Sequence, residues 1–132
     1  MTHQELFDST IQAYLIDGEP FGYDAVRASC RYLAPDGSKC AIGRHLTSED
    51  FAYIDRGDLL LRAGTLQRKY PNIMAARFGD LDGFLLNQIQ SCHDKAARED
   101  YDDERRQVLR HELDKMAKAY RLDTTLLDTV KP

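Results

Sequence analysis

The chain has 132 residues, 42% of them hydrophobic and 30% charged, with no Trp; these are the proportions of one globular domain that buries its core without disulfides or metal. Such a composition argues against disorder, and 22 acidic against 18 basic side chains, a net charge of −4, argue against nonspecific nucleic-acid binding, which needs surplus Lys and Arg to neutralise phosphates. No apolar run approaches the roughly 20 residues of a membrane-spanning helix, and Met1-Thr2-His3-Gln4-Glu5 lacks the basic start and apolar stretch of a signal peptide, so a cytoplasmic protein with no membrane partner is expected.

In chain order, Gln4 to Ile16 places Phe7, Ile11, Tyr14 and Leu15 on one stripe at helical spacing, and Asp17-Gly18-Glu19-Pro20 ends that helix. Tyr23 to Ser29 fits either a helical turn or irregular lead-in. A second helix begins at Thr47, with Asp50 as its capping-box partner and Leu46 and Phe51 as a hydrophobic staple, and runs to Gly57. Gly64, Pro71 and Gly79 divide the next stretch, leaving short helices around Leu59 to Arg62 and Leu66 to Tyr70.

The C-terminal half has the stronger periodicity. Asp80 or Asp82 caps a helix reaching about Ala97, with Leu81, Phe84, Leu85, Ile89, Cys92 and Ala96 inward. The acidic run Glu99 to Glu104 breaks the chain and places negative charge at the N-terminus of a helix from about Asp103 to Arg121, whose inner face carries Leu109, Leu113, Met116, Ala117 and Tyr120. Asp114 and Lys118 form an outer i,i+4 pair, and the two helices should pair antiparallel. No repeat, low-complexity segment or linker divides residues 1–132. The expected fold is mainly α within the α+β class: a compact helical domain of about four to six helices with one β-hairpin near residues 30–43.

That hairpin carries two of the three cysteines. Pro35-Asp36-Gly37 fits a type I turn followed by a left-handed Gly, which sets Ala34 opposite Ser38, Tyr32 opposite Cys40 and Cys30 opposite Ile42. Alternation then puts Cys30, Tyr32, Ala34, Cys40 and Ile42 on an apolar face, and Arg31, Leu33, Lys39 and Ala41 on a mixed, basic one. Cys30 and Cys40 read as small packing hydrophobes, held as thiols in a reducing compartment. A zinc set of Cys30, Cys40, His45 and His93 is the alternative, weakened by a gap far longer than the two-to-four spacing of a zinc knuckle. Locally the segment is basic: Arg27, Arg31, Lys39 and Arg44 face only Asp36.

The pattern Cys30-x-Tyr32, Pro35-Asp36-Gly37, Lys39-Cys40-Ala41-x-Gly43 resembles the hallmark of a group of small proteins of bacteriophages, prophages and other mobile elements. Downstream, Leu85-Leu86-Asn87-Gln88-Ile89-Gln90-Ser91-Cys92-His93-Asp94 is similar to the group's Leu/Ile-Gln-x-x-His-Asp helix end. The chain departs from the group at Leu33-Ala34, where Arg-Gly is expected, and at Arg44-His45. The resemblance implies a phage-like origin, hence a host cytoplasm, and brings no activity with it.

His93-Asp94 could serve as base and orienter or as metal ligands, with Asp36 or Asp80 completing an acidic set; the opposing reading is a helix-end histidine beside a solvated aspartate. No phosphate loop, nucleophile elbow or HExxH is present, and no cofactor is implied. Three functions remain. The first is a non-enzymatic accessory protein that binds and modulates a host or partner protein, of counter-defence, inhibitor or immunity type. The second is a binder of a small anionic ligand or nucleotide through the basic hairpin face, with Arg27, Arg31, Lys39 and Arg44 around a pocket of Tyr32, His45, His93 and Asp94. The third is a metal-dependent hydrolase or nuclease using His93, Asp94 and the cysteines.

Overall fold

The computed structural model describes residues 1–24 and 29–130, with backbone only at Ser29 and Cys30. The fold is mainly helical. Helix α1 (His3–Thr10) starts at a capping box in which Thr2 accepts from the Glu5 amide and the Glu5 carboxylate accepts from the Thr2 amide. A π-helical stretch, Ile11–Ile16, continues it, and Gly18, at φ 70°, turns the chain out. The widened turn keeps Ile11, Ala13 and Tyr14 buried, so the sequence stripe is preserved although the pitch changes.

Two short strands follow, β1 (Tyr23–Asp24) and β2 (Ser29–Cys30), paired antiparallel with Tyr23 opposite Cys30. The hairpin expected near residues 30–43 is thus displaced toward the N-terminus. The Arg31 amide donates to the Gly22 carbonyl at 2.8 Å, which draws the backbone of the cysteine segment onto the preceding chain. Residues 31–42 form instead a loop closed by Ala34 N–H to Ser38 O (2.8 Å) and Cys40 N–H to Arg31 O (3.1 Å). Its turn follows the expected chemistry, with Gly37 at φ 87° and the Asp36 carboxylate accepting from the Ser38 amide. Alternation also holds through Cys40: Tyr32, Ala34 and Cys40 are buried and Leu33 is exposed. It ends where the chain enters a 3-10 turn at Gly43–His45, so Ala41 and Ile42 are both buried.

Helix α2 (Ser48–Tyr53) has the expected Thr47–Asp50 capping box but stops before Gly57, because Ile54 is extended and buried. A 3-10 turn at Arg56–Leu60 leads to α3 (Ala63–Lys69) and α4 (Pro71–Phe78). Pro71, read from sequence as a break, occupies the first turn of α4, where its missing N–H costs nothing. Helices α5 (Gly83–Ala97) and α6 (Asp102–Tyr120) pack along each other, and α3 packs against α5; a short α7 (Thr125–Asp128) closes the chain. The core stripes are those expected, with Leu85, Ile89, Cys92 and Ala96 facing Leu109, Leu113, Met116 and Ala117 in one cluster. Asp114 and Lys118 pair at 3.1 Å. One expectation fails: Phe84 is 75% exposed, since Leu81, buried ahead of the helix, and Leu85 together fill the inward direction at that end.

Two glycines let backbone meet backbone under this core. A Cβ on Gly22 would collide with the backbone of Lys39 and Cys40, and one on Gly43 with the Tyr32 carbonyl. Gly57 faces open space. Gly43→Ala should therefore destabilise the fold by about 3 kcal/mol or more, whereas Gly57→Ala should stay within about 0.5 kcal/mol, both read from urea unfolding midpoints.

Candidate functional site

His93 lies on the inner face of α5 and is fully buried. Its Nε2 sits 3.1 Å from the Gly22 amide nitrogen, and an amide can only donate, so Nε2 carries the lone pair. The proton is then on Nδ1, donated to Asp94 Oδ1 at 2.8 Å. Tyr14 and Phe21 pack on the ring, with centroids 5.2 Å away. Both ring nitrogens are engaged in this arrangement, and the imidazole links α5 to the chain entering β1. A general base or a metal ligand needs an exposed lone pair, which this geometry does not offer.

The basic residues of the cysteine segment do not converge. Arg31 lies 3.9 Å from Asp24, and its buried Nε has no hydrogen-bond partner among the described residues. Lys39 stands over the Phe51 ring at 5.9 Å. Arg44 donates to Ser9 Oγ at 2.6 Å and to Glu19 at 3.3 Å, and its Nη1 lies 3.2 Å from His45 Nε2, tying the 3-10 turn to α1. The His45 ring packs edge-on against Phe78. Arg27 lies outside the described residues. Tyr32 and Asp94 line one cleft, whereas Arg44 faces another hollow with Glu19 and Lys39. The pocket expected from sequence is therefore split among the described residues: Arg31, Lys39 and Arg44 make internal contacts, and Tyr32 and Asp94 open elsewhere.

The thiols are also internal. Cys40 is fully buried, its sulfur accepts from the Gly43 amide at 3.3 Å, and burial pushes its pKa up to about 12. Burial does the same to Cys92. Among the described residues no three His, Cys, Asp or Glu side chains group to hold a metal, and the side chain of Cys30 lies outside them. Asp36 and Asp80 are exposed, Asp36 serving its own turn.

The cleft at Tyr32 and Asp94 encloses about 320 Å³ between residues 59–62 and the outer side of α5. The Tyr32 hydroxyl donates to the Leu61 carbonyl at 2.6 Å. Gln90 Oε1 and Asn87 Oδ1 accept from the Ala63 and Gly64 amides, capping α3 from a neighbouring helix. Arg62, Lys95 and Arg98 line the same space. Sequence reading missed Asn87, Arg62 and Arg98 because their grouping follows from the packing of α3 on α5; the only signal was the spacing of Asn87, Ser91 and Arg98 on one side of a helix.

In a Cys30→Ser background, Cys40 and Cys92 should stay unlabelled by a thiol reagent at pH 8 and react fully on denaturation. His93→Ala should cost about 3 kcal/mol, since it opens a cavity and strands the Gly22 N–H; urea unfolding reads this. Burial and Arg44 hold the His45 pKa down at about 4 against 6.5 when unfolded, so the unfolded chain binds the extra proton between those values. The resulting stability is complete above about pH 6.5 and is lost as pH falls toward about 4. His45→Gln should flatten the wild-type fall in melting temperature over that window.

Comparisons with protein-family models, curated proteins and solved structures give no match to this chain, so the functional reading rests on its own residues.

Proposed function

We propose that the protein is a non-catalytic binding protein, an accessory protein of phage or mobile-element type that modulates a host or partner protein by covering part of its surface. The observation that carries this reading is Phe84. It stands 75% exposed on the first turn of the 15-residue helix α5, and the helix is anchored there by Asp82, whose side chain accepts from the Phe84 amide. Asn87 follows one turn later on the same side and shares the cleft with Leu60, itself 67% exposed. Phe84 is no part of the core cluster, so a polar residue at that position would leave the core packing unchanged. An aromatic there keeps apolar surface in water, and burying it in an interface stabilises the complex by about 1.5–3 kcal/mol.

The engagement of His93 and of the two described thiols supports the same reading, because the residues that would do chemistry hold the fold together. Accessory proteins of inhibitor, immunity or counter-defence type work by such occupation, in keeping with the resemblance of the Pro35-Asp36-Gly37 and His93-Asp94 motifs to proteins of mobile elements.

Wild type and Phe84→Asp should be used in parallel as baits in a bacterial lysate, and any protein captured should be purified and its affinity measured by calorimetry. A direct complex weakened about tenfold or more by Phe84→Asp, at unchanged melting temperature, is expected. No pair that reconstitutes from purified components, or equal affinity for both baits, rejects the reading.

A further inference from the structure

We infer that the cleft between residues 59–62 and the outer side of α5 binds a small organic anion bearing a phosphate or carboxylate group, a role independent of the protein-partner reading. Charge is the first argument. Arg62 and Arg98 line the cleft, are exposed, and make no ion pair or hydrogen bond through their side chains among the described residues, whereas Arg31, Arg44, Arg77, Arg105 and Arg106 each face a carboxylate. In a chain of net charge −4, two unpaired guanidinium groups in one concavity are an unspent anion-binding capacity. Lys95 adds a third cation, 53% exposed and 3.5 Å from Glu112 on α6. Asp94 is the acidic group on this wall, and one of its oxygens already takes the His93 N–H.

The second argument is hydrogen-bond polarity. Because the Ala63 and Gly64 amides must donate, they fix the oxygens of Gln90 and Asn87 toward α3. What each carboxamide retains is its NH2 group, a donor. Neither the Asn87 NH2 group nor the Ser91 hydroxyl has a hydrogen bond among the described residues, and Asn87, Gln90 and Ser91 all line the cleft. Leu59 to Leu61 supply an apolar wall beside these donors. A volume of 320 Å³ lies at the small end of ligand pockets, which run from about 300 to 1,000 Å³, and suits a metabolite rather than a polymer. The ligand's anionic group would meet Arg62 and Arg98, and its body the leucine wall and the Asn87 amide.

The test is a titration of the full-length ¹⁵N-labelled chain with inorganic phosphate, ribose 5-phosphate and citrate, each against sodium chloride at equal ionic strength. Saturable shifts of the Asn87 and Gln90 side-chain amides are expected with at least one anion. The affinity should fall about 10- to 100-fold in Arg62→Ala/Arg98→Ala at unchanged melting temperature. Arg62→Gln alone serves if the double variant unfolds. Saturation by either phosphate compound assigns the phosphate group, and saturation by citrate alone assigns the carboxylate. No saturable shift with any of the three, shifts matched by chloride, or binding indifferent to the arginines overturns the proposal.

Discussion

The neutral imidazole of His93 is the constraint on which the N-terminal half depends. A backbone amide at Gly22 needs a buried acceptor, and the only way for this histidine to supply one is to carry its proton on the other nitrogen, facing Asp94. The ring thereby joins parts of the chain 71 residues apart, α5 and the entry to β1, across a floor of Tyr14 and Phe21. Around it Gly22 and Gly43 let the cysteine loop lie directly on neighbouring backbone, and the Tyr14 and Tyr32 hydroxyls each accept the same duty, donating to the carbonyls of Lys39 and Leu61. Irregular backbone is held in place here by side chains, where a sheet ladder would otherwise satisfy it.

The same economy of polar groups runs through the helical half. Asp50 closes the α2 capping box and also receives Arg77 at 2.7 Å, and Asp58 takes both Lys69 and the Tyr70 hydroxyl. These bonds hold both carboxylates below their ordinary pKa. Gln90 and Asn87 cap α3, which has no capping side chain of its own. His93, Cys40 and Cys92 are thus consumed by structure, and near one side of α5 the surface keeps groups of a different kind: an exposed aromatic, an exposed leucine and two arginines unpaired among the described residues.

Much of this was legible in the residues. Thr47 and Asp50 announce a helix start because capping is local, and the Leu-rich stripes of α5 and α6 announce each other because a helix has one period. The turn at Pro35-Asp36-Gly37 was legible for the same reason. Pro71 misled, since the signal that breaks a helix interior is also the one that opens a helix. Phe84 misled because periodicity gives a direction about the helix axis and not the depth of the neighbour that fills it.

The sequence by itself determined the helical class, the starts of α1, α2, α5 and α6 to within a residue or so, the core stripes and the buried side of residues 32–40, all of which depend on interactions a few residues apart. Only the tertiary structure decided that the ladder would form at Tyr23–Cys30, that His93 would be sealed by Gly22, that Arg31, Lys39 and Arg44 would be spent on Asp24, Phe51 and Glu19, and that Arg62 and Arg98 would share a cleft. Each of these is a choice among partners far apart in the chain. Such choices are settled by which donors and charges the packing brings within about 3–4 Å, a distance that no local pattern encodes.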